Sequence, residues 1–560
     1  LRLHNKHGKF YKTVFGPINR GLDAFDNFYA RLVKKVVGHK TITILTALGI
    51  FVGSLFLLKF VGSEFIPTND NGRLGVNLEL PIGSRVEIAK EVMSRLYDEW
   101  MEKYPEIQTF NYTVGQASSD NAYASLQDNG SHIISCNIRL KDLNKRKRGI
   151  VEIAEGMRAD LKDHYPEFKK ALVNVGGSRG QSMGGQSSID YEIYGWDFAE
   201  TDSVAQQLTR ILRDIKGTAD ITISRSDYLP EYHVEFDREK LAMHGLNLAT
   251  AATYLRNRIN GAIASKYRED GEEYDIKVMY EPNARTSVTD IENILIYTPI
   301  GGSVRVREVG KVVEASNPPT IERKDRQRII TVSTIVDGVP MSDVVKASQA
   351  EIAKMDLPSG VNIELSGTYE DQQDSFADLG LLAMLIILLV YIVMASQFES
   401  LTYPGIIMTS LLFAFSGVIL ILLITGTNLN IMSLIGSIML IGIVVKNGIV
   451  LIDYINLNRE RGMSIRRAVI HGGKSRLRPV VMTSLTTILG MVPMAVGTGE
   501  GAAMWRPMGI AVIGGLTFST ILTLLFVPAL YCVFAYNGVK LQRRKNRKKV
   551  NEMKLNETSE

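Results

Sequence analysis

The sequence is poor in the residues that usually carry catalysis. Its 560 residues include two cysteines, Cys136 and Cys532, and eight histidines. The cysteines lie far apart, which excludes a disulfide framework or a zinc-ligand spacing. The histidines are scattered without an HExxH-like cluster, and no nucleophile–base or metal arrangement stands out among Asp and Glu. A phosphate-binding loop is also missing. The glycine-rich stretch VGGSRGQSMGGQSS (175–188) has no lysine after its glycines and leads into a strand, so it reads as a flexible linker. Without an ATP motif, any work done by the chain must draw on an ion gradient or another subunit. No signal-peptide pattern is present, and a chain that opens on Leu1 is expected to be a piece of a longer one.

What the sequence does have is apolar length. The overall apolar fraction of 45% averages two unlike regions. Residues 63–370 are mixed and charged, whereas 41–62 and 376–535 hold long runs almost free of charge. A helix needs about 20 mainly apolar residues to cross a bilayer core. Six segments qualify: 41–62, 376–396, 403–425, 430–453, 479–498 and 507–535. The positive-inside rule orients them. Lys34, Lys35 and Lys40 precede the first span, seven basic residues from Arg459 to Arg478 separate the fourth and fifth, and seven more from Lys540 to Lys549 follow the last. With both termini inside, all three clusters are cytoplasmic and the stretch between the first two spans lies outside. Ahead of the first span, Ile18, Leu22, Phe25, Phe28, Tyr29, Leu32 and Val36 share a helical face. Two placements follow from that face: on the cytoplasmic membrane surface, or against a neighbouring domain.

The stretch between spans one and two alternates strand and helix. GRLGVNLELP (72–81) and the helical pattern 85–104 open one unit. SSIDYEIYG and a helix near 198–215 open a second, and RIITVSTIVDG, a helix over 341–355 and VNIELSG (361–367) form a third. These are recurrent ferredoxin-like strand–helix–strand units. The expected fold class is therefore an α-helical membrane domain of six transmembrane helices plus an α+β exterior region. Residues 230–313 read as an insertion with a hairpin whose tip lies near REDGEE. Packing on its own domain or reaching a neighbouring subunit both fit that hairpin.

One lysine interrupts the fourth span, in IGIVVKNGIVLID (441–453). A lysine near a helix centre costs about 2.5–3.5 kcal/mol on insertion scales. Lys446 lies about 10 Å from the cytoplasmic end, so snorkelling competes with a functional role. Gly442 and Asp453 share its face. The fifth span carries a polar stripe, Arg476, Pro479, Thr483, Thr486, Thr487 and Gly490, which also suits plain helix packing. Thr483 falls near the depth of Lys446 in an antiparallel neighbour. No Asp or Glu occupies the core of any span, so a carboxylate for Lys446 must come from helices outside this chain. Protonating that carboxylate would release the lysine and let a proton drive a conformational change.

In VVKNGIVLID, RLRPVVMTSL and FIPTNDNG, and in the order of its elements, the chain resembles the C-terminal half of a resistance–nodulation–division (RND) permease of the AcrB-like hydrophobe/amphiphile exporter family. The resemblance implies a relay lysine at Lys446 pairing with two aspartates of the N-terminal half, a relay threonine at Thr483, and an arginine near the cytoplasmic mouth at Arg476. It also implies a multi-pass protein of the bacterial inner membrane with a large periplasmic region. It would act as a homotrimer with a periplasmic adaptor and an outer-membrane channel, driven by the proton gradient without a cofactor or a nucleic-acid partner.

The domains implied are a surface helix (1–40), a first transmembrane helix (41–62), a first porter subdomain (63–181), a second porter subdomain (182–229 and 314–370), a docking subdomain (230–313), five further transmembrane helices (371–535) and a basic tail (536–560). Small amphiphilic compounds are the expected substrates. The switch-loop stretch VGQASSDNAYASLQDNG departs from the Gly/Phe-rich family pattern and has Tyr123 as its sole aromatic, which leaves a more polar substrate open. Phe110 and Tyr112, just before it, suit either substrate contact or strand packing. Metal export ranks lower, because Met93, Met101, Met183, Met279 and Met341 form no convincing cluster. The alternatives are a SecD/SecF-like translocation accessory factor and an inactive fragment.

Overall fold

The computed structural model describes residues 9–67, 69–115, 130–176, 187–225, 229–299, 301–317 and 321–557. Helix α1 (Lys9–Gly38) leads into α2 (Lys40–Leu57). A first sheet unit follows: β1 (Arg73–Glu79), α3 (Val86–Lys103), β2 (Ile107–Val114), β3 (Ile133–Leu140), α4 (Ile150–His164) and β4 (Lys170–Val175). Its four strands are antiparallel in the order β2-β3-β1-β4. Alternation on β3 turns Ile134, Cys136, Ile138 and Leu140 inward, where they meet Met93, Leu96 and Trp100 of α3.

The second sheet unit begins with β5 (Ser188–Tyr194), α5 (Phe198–Asp214) and β6 (Thr218–Ile223). The chain then leaves for a separate compact unit, residues 225–323. That unit holds β7 (Leu229–Phe236), α6 (Arg238–Met243), α7 (Leu248–Ile259), β8 (Ala262–Glu269), β9 (Glu272–Val278), α8 (Val288–Glu292), β10 (Leu295–Thr298), β11 (Gly302–Arg305), α9 (Val306–Val309) and β12 (Gly310–Asn317). Its small core gathers Leu241, Leu246, Ile294, Ile296 and Val304. Strands β8 and β9 form a hairpin closed by Asp270 and Gly271, both at positive φ, 51° and 85°. That is the two-residue Asp-Gly turn whose twist suits a hairpin, as the REDGEE motif predicts.

After β13 (Glu322–Lys324), the second sheet unit is completed by β14 (Gln327–Val336), α10 (Met341–Ile352) and β15 (Asn362–Gly367). The sheet has five strands: β13 and β6 both pair with β14, and β6-β14-β5-β15 are antiparallel in the same spatial order as the strands of the first unit. The second and third strand–helix–strand units of the sequence reading are thus two halves of one sheet. Arg158 of α4 joins the two sheet units, donating to Asp220 at 2.8 Å, with Asp337 3.7 Å away. Burial pushes the Asp220 carboxyl above its ordinary pKa, and Arg158 opposes that shift.

Five long helices close the chain: α11 (Thr368–Phe398), α12 (Thr402–Thr425), α13 (Ile431–Glu460), α14 (Ile465–Val496) and α15 (Ala502–Glu557). With α2 they supply six helices long and apolar enough to cross a membrane among the described residues. They do not pack equally. The apolar windows of α12, α13 and α15 are 56–61% buried, against 6–17% for α2, α11 and α14. Glycines set the central contact. A Cβ on Gly514 would sit 2.2 Å from Ile421, and one on Gly417 would sit 2.7 Å from the Gly514 carbonyl. The α12 and α15 backbones therefore approach closely where Gly417 meets Gly514 and Gly515, with Ile421 and Phe518 packed beside the contact.

Helix α1 packs on this bundle through Tyr29, Val33 and Val37. The Tyr29 hydroxyl donates to the Leu524 carbonyl at 2.7 Å, and Arg478 reaches Asp23 at 2.6 Å and Asp26 at 2.9 Å. Phe25 and Phe28, on the face singled out in the sequence, stay exposed. The helix thus packs along one edge and leaves its aromatic edge open, so each of the two placements read from the sequence accounts for one edge.

Candidate functional site

Helices α13 and α14 form an antiparallel pair. Gly472 lies against Ile455, Arg476 stacks on the Tyr454 ring at 4.4 Å, and Asn447 donates to the Ser484 hydroxyl at 3.0 Å. Thr520 of α15 donates to the same Ser484 oxygen at 2.9 Å. All three partners in this hydrogen-bonded triad are buried. They fix the depth at which the two helices face each other.

Lys446 and Thr483 each precede a member of that triad by one residue. A step of one residue turns about 100° around a helix. In antiparallel neighbours the two turns have opposite sense in space, so both side chains swing to the same side of the pair. Both are exposed there. The structure thus brings Lys446 and Thr483 to one side at matched depth, without direct contact. Among the described residues Lys446 meets no carboxylate and no hydrogen-bond acceptor. Thr483, Thr486 and Thr487 return their hydroxyls to carbonyls of their own helix, at 2.9, 2.8 and 3.0 Å. Their donor needs are met locally and their lone pairs remain free for an incoming group.

The open stripe of α13 consists of Met439, Gly442, Lys446, Asp453 and Leu457. Nothing lies within 4 Å of where a Cβ on Gly442 would be, so this face has space for another helix. Arg476 stands two turns toward the start of α14, held by Tyr454, and is not gathered with Lys446. An apolar cavity of about 470 Å³ between α1, α14 and α15 has Ser484 and Thr520 in its wall.

The aromatic candidates fall in the first sheet unit. Phe110 is half-buried and stacks on Tyr97 of α3 with centroids 5.2 Å apart. Tyr112 is 40% exposed, with Tyr97 and Phe110 about 6 Å away. Tyr123 lies outside the described residues, as does Met183. No group of three or more His, Cys, Asp or Glu is gathered for a metal ion among the described residues.

The sequence reading missed the Asn447–Ser484–Thr520 triad. A signal for it existed, since Asn447 interrupts the same apolar run as Lys446, but the depth match needed the neighbouring helix.

Comparison with known proteins agrees with this architecture. Residues 1–535 match the AcrB/AcrD/AcrF family. The swarming motility protein SwrC of Bacillus subtilis is 29% identical over 535 residues, covering 94% of this chain and 49% of that protein. The cobalt-zinc-cadmium resistance protein CzcA of Cupriavidus metallidurans is 28% identical over 517 residues, covering 90% of this chain and 48% of CzcA. A crystal structure of a heavy metal efflux pump superposes with a TM-score of 0.79 at 26% identity, covering 92% of this chain and 53% of that one. The chain spans about half the length of the curated relatives it matches.

Proposed function

The chain belongs to the AcrB/AcrD/AcrF family of RND permeases, and we propose that it forms the C-terminal half of a proton-driven efflux transporter of the bacterial inner membrane. The observation that carries this reading is the cation on an open helix face. Lys446 and Thr483 share a depth and a side, and among the described residues no carboxylate meets the lysine. An ammonium held at membrane depth needs a counter-ion, and the companion half supplies it as a pair of aspartates facing Gly442 and Lys446. Protonation of that pair frees Lys446 and lets α13 and α14 shift. Arg476, two turns away, serves the cytoplasmic mouth.

The two sheet units, with their matching strand–helix–strand–strand–helix–strand order, act as ferredoxin-like porter subdomains in the periplasm. The unit 225–323 acts as the docking subdomain. Its hairpin is exposed along both strands, and an isolated two-stranded hairpin is marginally stable. A neighbouring protomer in a homotrimer gives it a partner, with a periplasmic adaptor and outer-membrane channel completing the export route.

The substrates on this reading are small amphiphilic compounds, contacted from the Tyr97–Phe110–Tyr112 side of the first sheet unit. A second reading, divalent metal cations as cargo, is favoured by the likeness to CzcA and to the heavy metal efflux pump. One experiment addresses both readings. The complete transporter in proteoliposomes is offered an amphiphilic dye or Zn²⁺ under a proton gradient, with and without Lys446→Ala. Lys446→Ala is expected to abolish dye export and proton uptake at unchanged protein level. Undiminished export by the variant would refute the relay, and Zn²⁺ transport without dye transport would move the substrate to the second reading.

A further inference from the structure

The segment between α2 and the first sheet unit carries no catalytic motif and only one 3₁₀ turn, Leu58–Phe60, yet it is tied to the structure on both sides. Val61, at its start, packs against the core of the helix bundle. Phe65, four residues on, packs against the core of the second sheet unit. Between them the backbone is laced to the turn joining α12 and α13. Leu429 N–H donates to the Gly62 carbonyl at 2.8 Å, Glu64 N–H to the Leu429 carbonyl at 3.0 Å, and Ile431 N–H to the Phe65 carbonyl at 3.2 Å. Ser63 and Leu429 form a parallel β-bridge.

The Glu64 carboxylate closes the arrangement. Asn428 Nδ2 donates to one oxygen at 3.1 Å and Asn430 Nδ2 donates to the other at 3.2 Å. Asn430 is fully buried and is the N-cap of α13, its Oδ1 accepting from Ser433 N–H at 3.0 Å while Ser433 returns a bond to the Asn430 backbone. The Asn430 amide therefore spends its oxygen on the helix and its nitrogen on Glu64. A Cβ on Gly62 would lie 2.5 Å from Pro340, the N-cap of α10, and 2.7 Å from Asn428 Oδ1. Ser63 N–H faces the Ser342 hydroxyl at 3.5 Å.

We infer that Glu64 is a coupling residue: it clasps the N-terminus of the helix that bears Lys446 to the strap that enters the second sheet unit, so that movement of α13 is delivered to the porter region. Asn430 and Lys446 lie on one continuous helix, about 24 Å apart along its axis. A helix carries an axial or tilting displacement over that length with little loss. At the Asn430 end, the displacement meets two charge-assisted hydrogen bonds and a β-bridge, which resist separation far better than apolar contact alone. The strap is short, and Phe65 holds it against the sheet unit's core, so it has little slack to absorb the movement. One side is free to yield: the clasp forms one wall of a cavity of about 500 Å³ lined also by Asp337, Pro340 and Met341.

The inference rests on the relay reading above, and its test separates the two. Proton uptake and substrate export are measured side by side in proteoliposomes of the complete transporter. In Glu64→Ala, export is expected to fall about tenfold while proton uptake stays within about twofold of the unaltered protein. Glu64→Gln keeps one oxygen to accept from one asparagine, so its export should lie between the two. Gly62→Ala, which wedges the strap from the Pro340 side, should show the same split between the fluxes. Full export by Glu64→Ala would overturn the inference. So would a parallel loss of both fluxes, which marks Glu64 as merely structural. Lys446→Ala in the same assay reports on the relay alone, because it removes proton uptake whether or not the clasp transmits.

Discussion

Replacing Ser484 by alanine tests the arrangement on which the position of Lys446 and Thr483 depends. One oxygen of Ser484 accepts from Asn447 at 3.0 Å and from Thr520 at 2.9 Å. Removing it orphans two buried donors on two different helices. Interhelical hydrogen bonds in membrane proteins average about 0.6 kcal/mol and reach about 1.7, while a buried donor left unsatisfied costs about 1–3 kcal/mol. Ser484→Ala should therefore cost about 1–3 kcal/mol. Thr520→Val removes one bond, leaves Ser484 engaged by Asn447 and orphans nothing, so it should cost about 0.6 kcal/mol. The double variant should cost less than the sum, because the Thr520 donor is already gone when its acceptor is removed.

The assay is thermal unfolding of the solubilised complete transporter at a fixed scan rate, since such proteins unfold irreversibly. A helical unit of this size loses about 2–4 °C per kcal/mol. The rank order decides the matter. If Thr520→Val costs as much as Ser484→Ala, or the two effects add, the three side chains are not one network. The matched depth of Lys446 and Thr483 then loses its anchor.

Two further outcomes follow from the packing and the charges. Gly514→Ala should destabilise the bundle by about 1–3 kcal/mol, because the added carbon would lie 2.2 Å from the Ile421 side chain; a melting temperature at or above that of the unaltered protein would contradict the close packing of Ile421 of α12 on Gly514 of α15. The acid limb of stability should be traceable in part to Glu106. Arg148 donates to both of its oxygens, at 2.9 and 2.7 Å, and these bonds hold its pKa below the ordinary carboxylate value although burial opposes them. The stabilisation is then complete above the unfolded pKa of about 4.3 and lost as pH falls through the lower folded value. Fluorescence melts between pH 6 and 3, reporting on the buried Trp100 with Trp196 and Trp505 replaced by Phe, should show a shallower acid decline in Glu106→Gln; an unchanged slope would remove Glu106 from the account.

The elements that were legible in the sequence are those governed by one period or one composition. All six apolar helices fall where hydropathy places them, because the cost of hydrocarbon around an exposed backbone leaves little alternative to a helix. Their ends were not legible in the same way. The fifth helix begins at Ile465, well before the apolar run from 479. Charged turns such as RRAVIHGGKSRLR sustain a helix as well as apolar ones do, and hydropathy marks only the part that is greasy. In α1 the periodicity was right, yet Asp26, Tyr29 and Val33 became its buried edge while Phe25 and Phe28 did not, since Arg478 on a distant helix decided which side docks.

The candidate site divides along the same line. Lys446 and Thr483 announce themselves as polar letters in apolar text. Their common side, the triad behind them and the Glu64 clasp depend on partners up to several hundred residues away. No local pattern encodes such pairings, because they are set by how rotated helices meet.

The glycine seam between α12 and α15 has a consequence for how such a bundle can move. Two backbones pressed together have no rotatable bonds between them to absorb a slide, so the pair behaves as a keel. Whatever shifts during a working cycle must then ride over that keel on the helices outside the pair, α13 and α14 among them. In a machine of this design one seam stays fixed, and the remaining helices take their direction of travel from it.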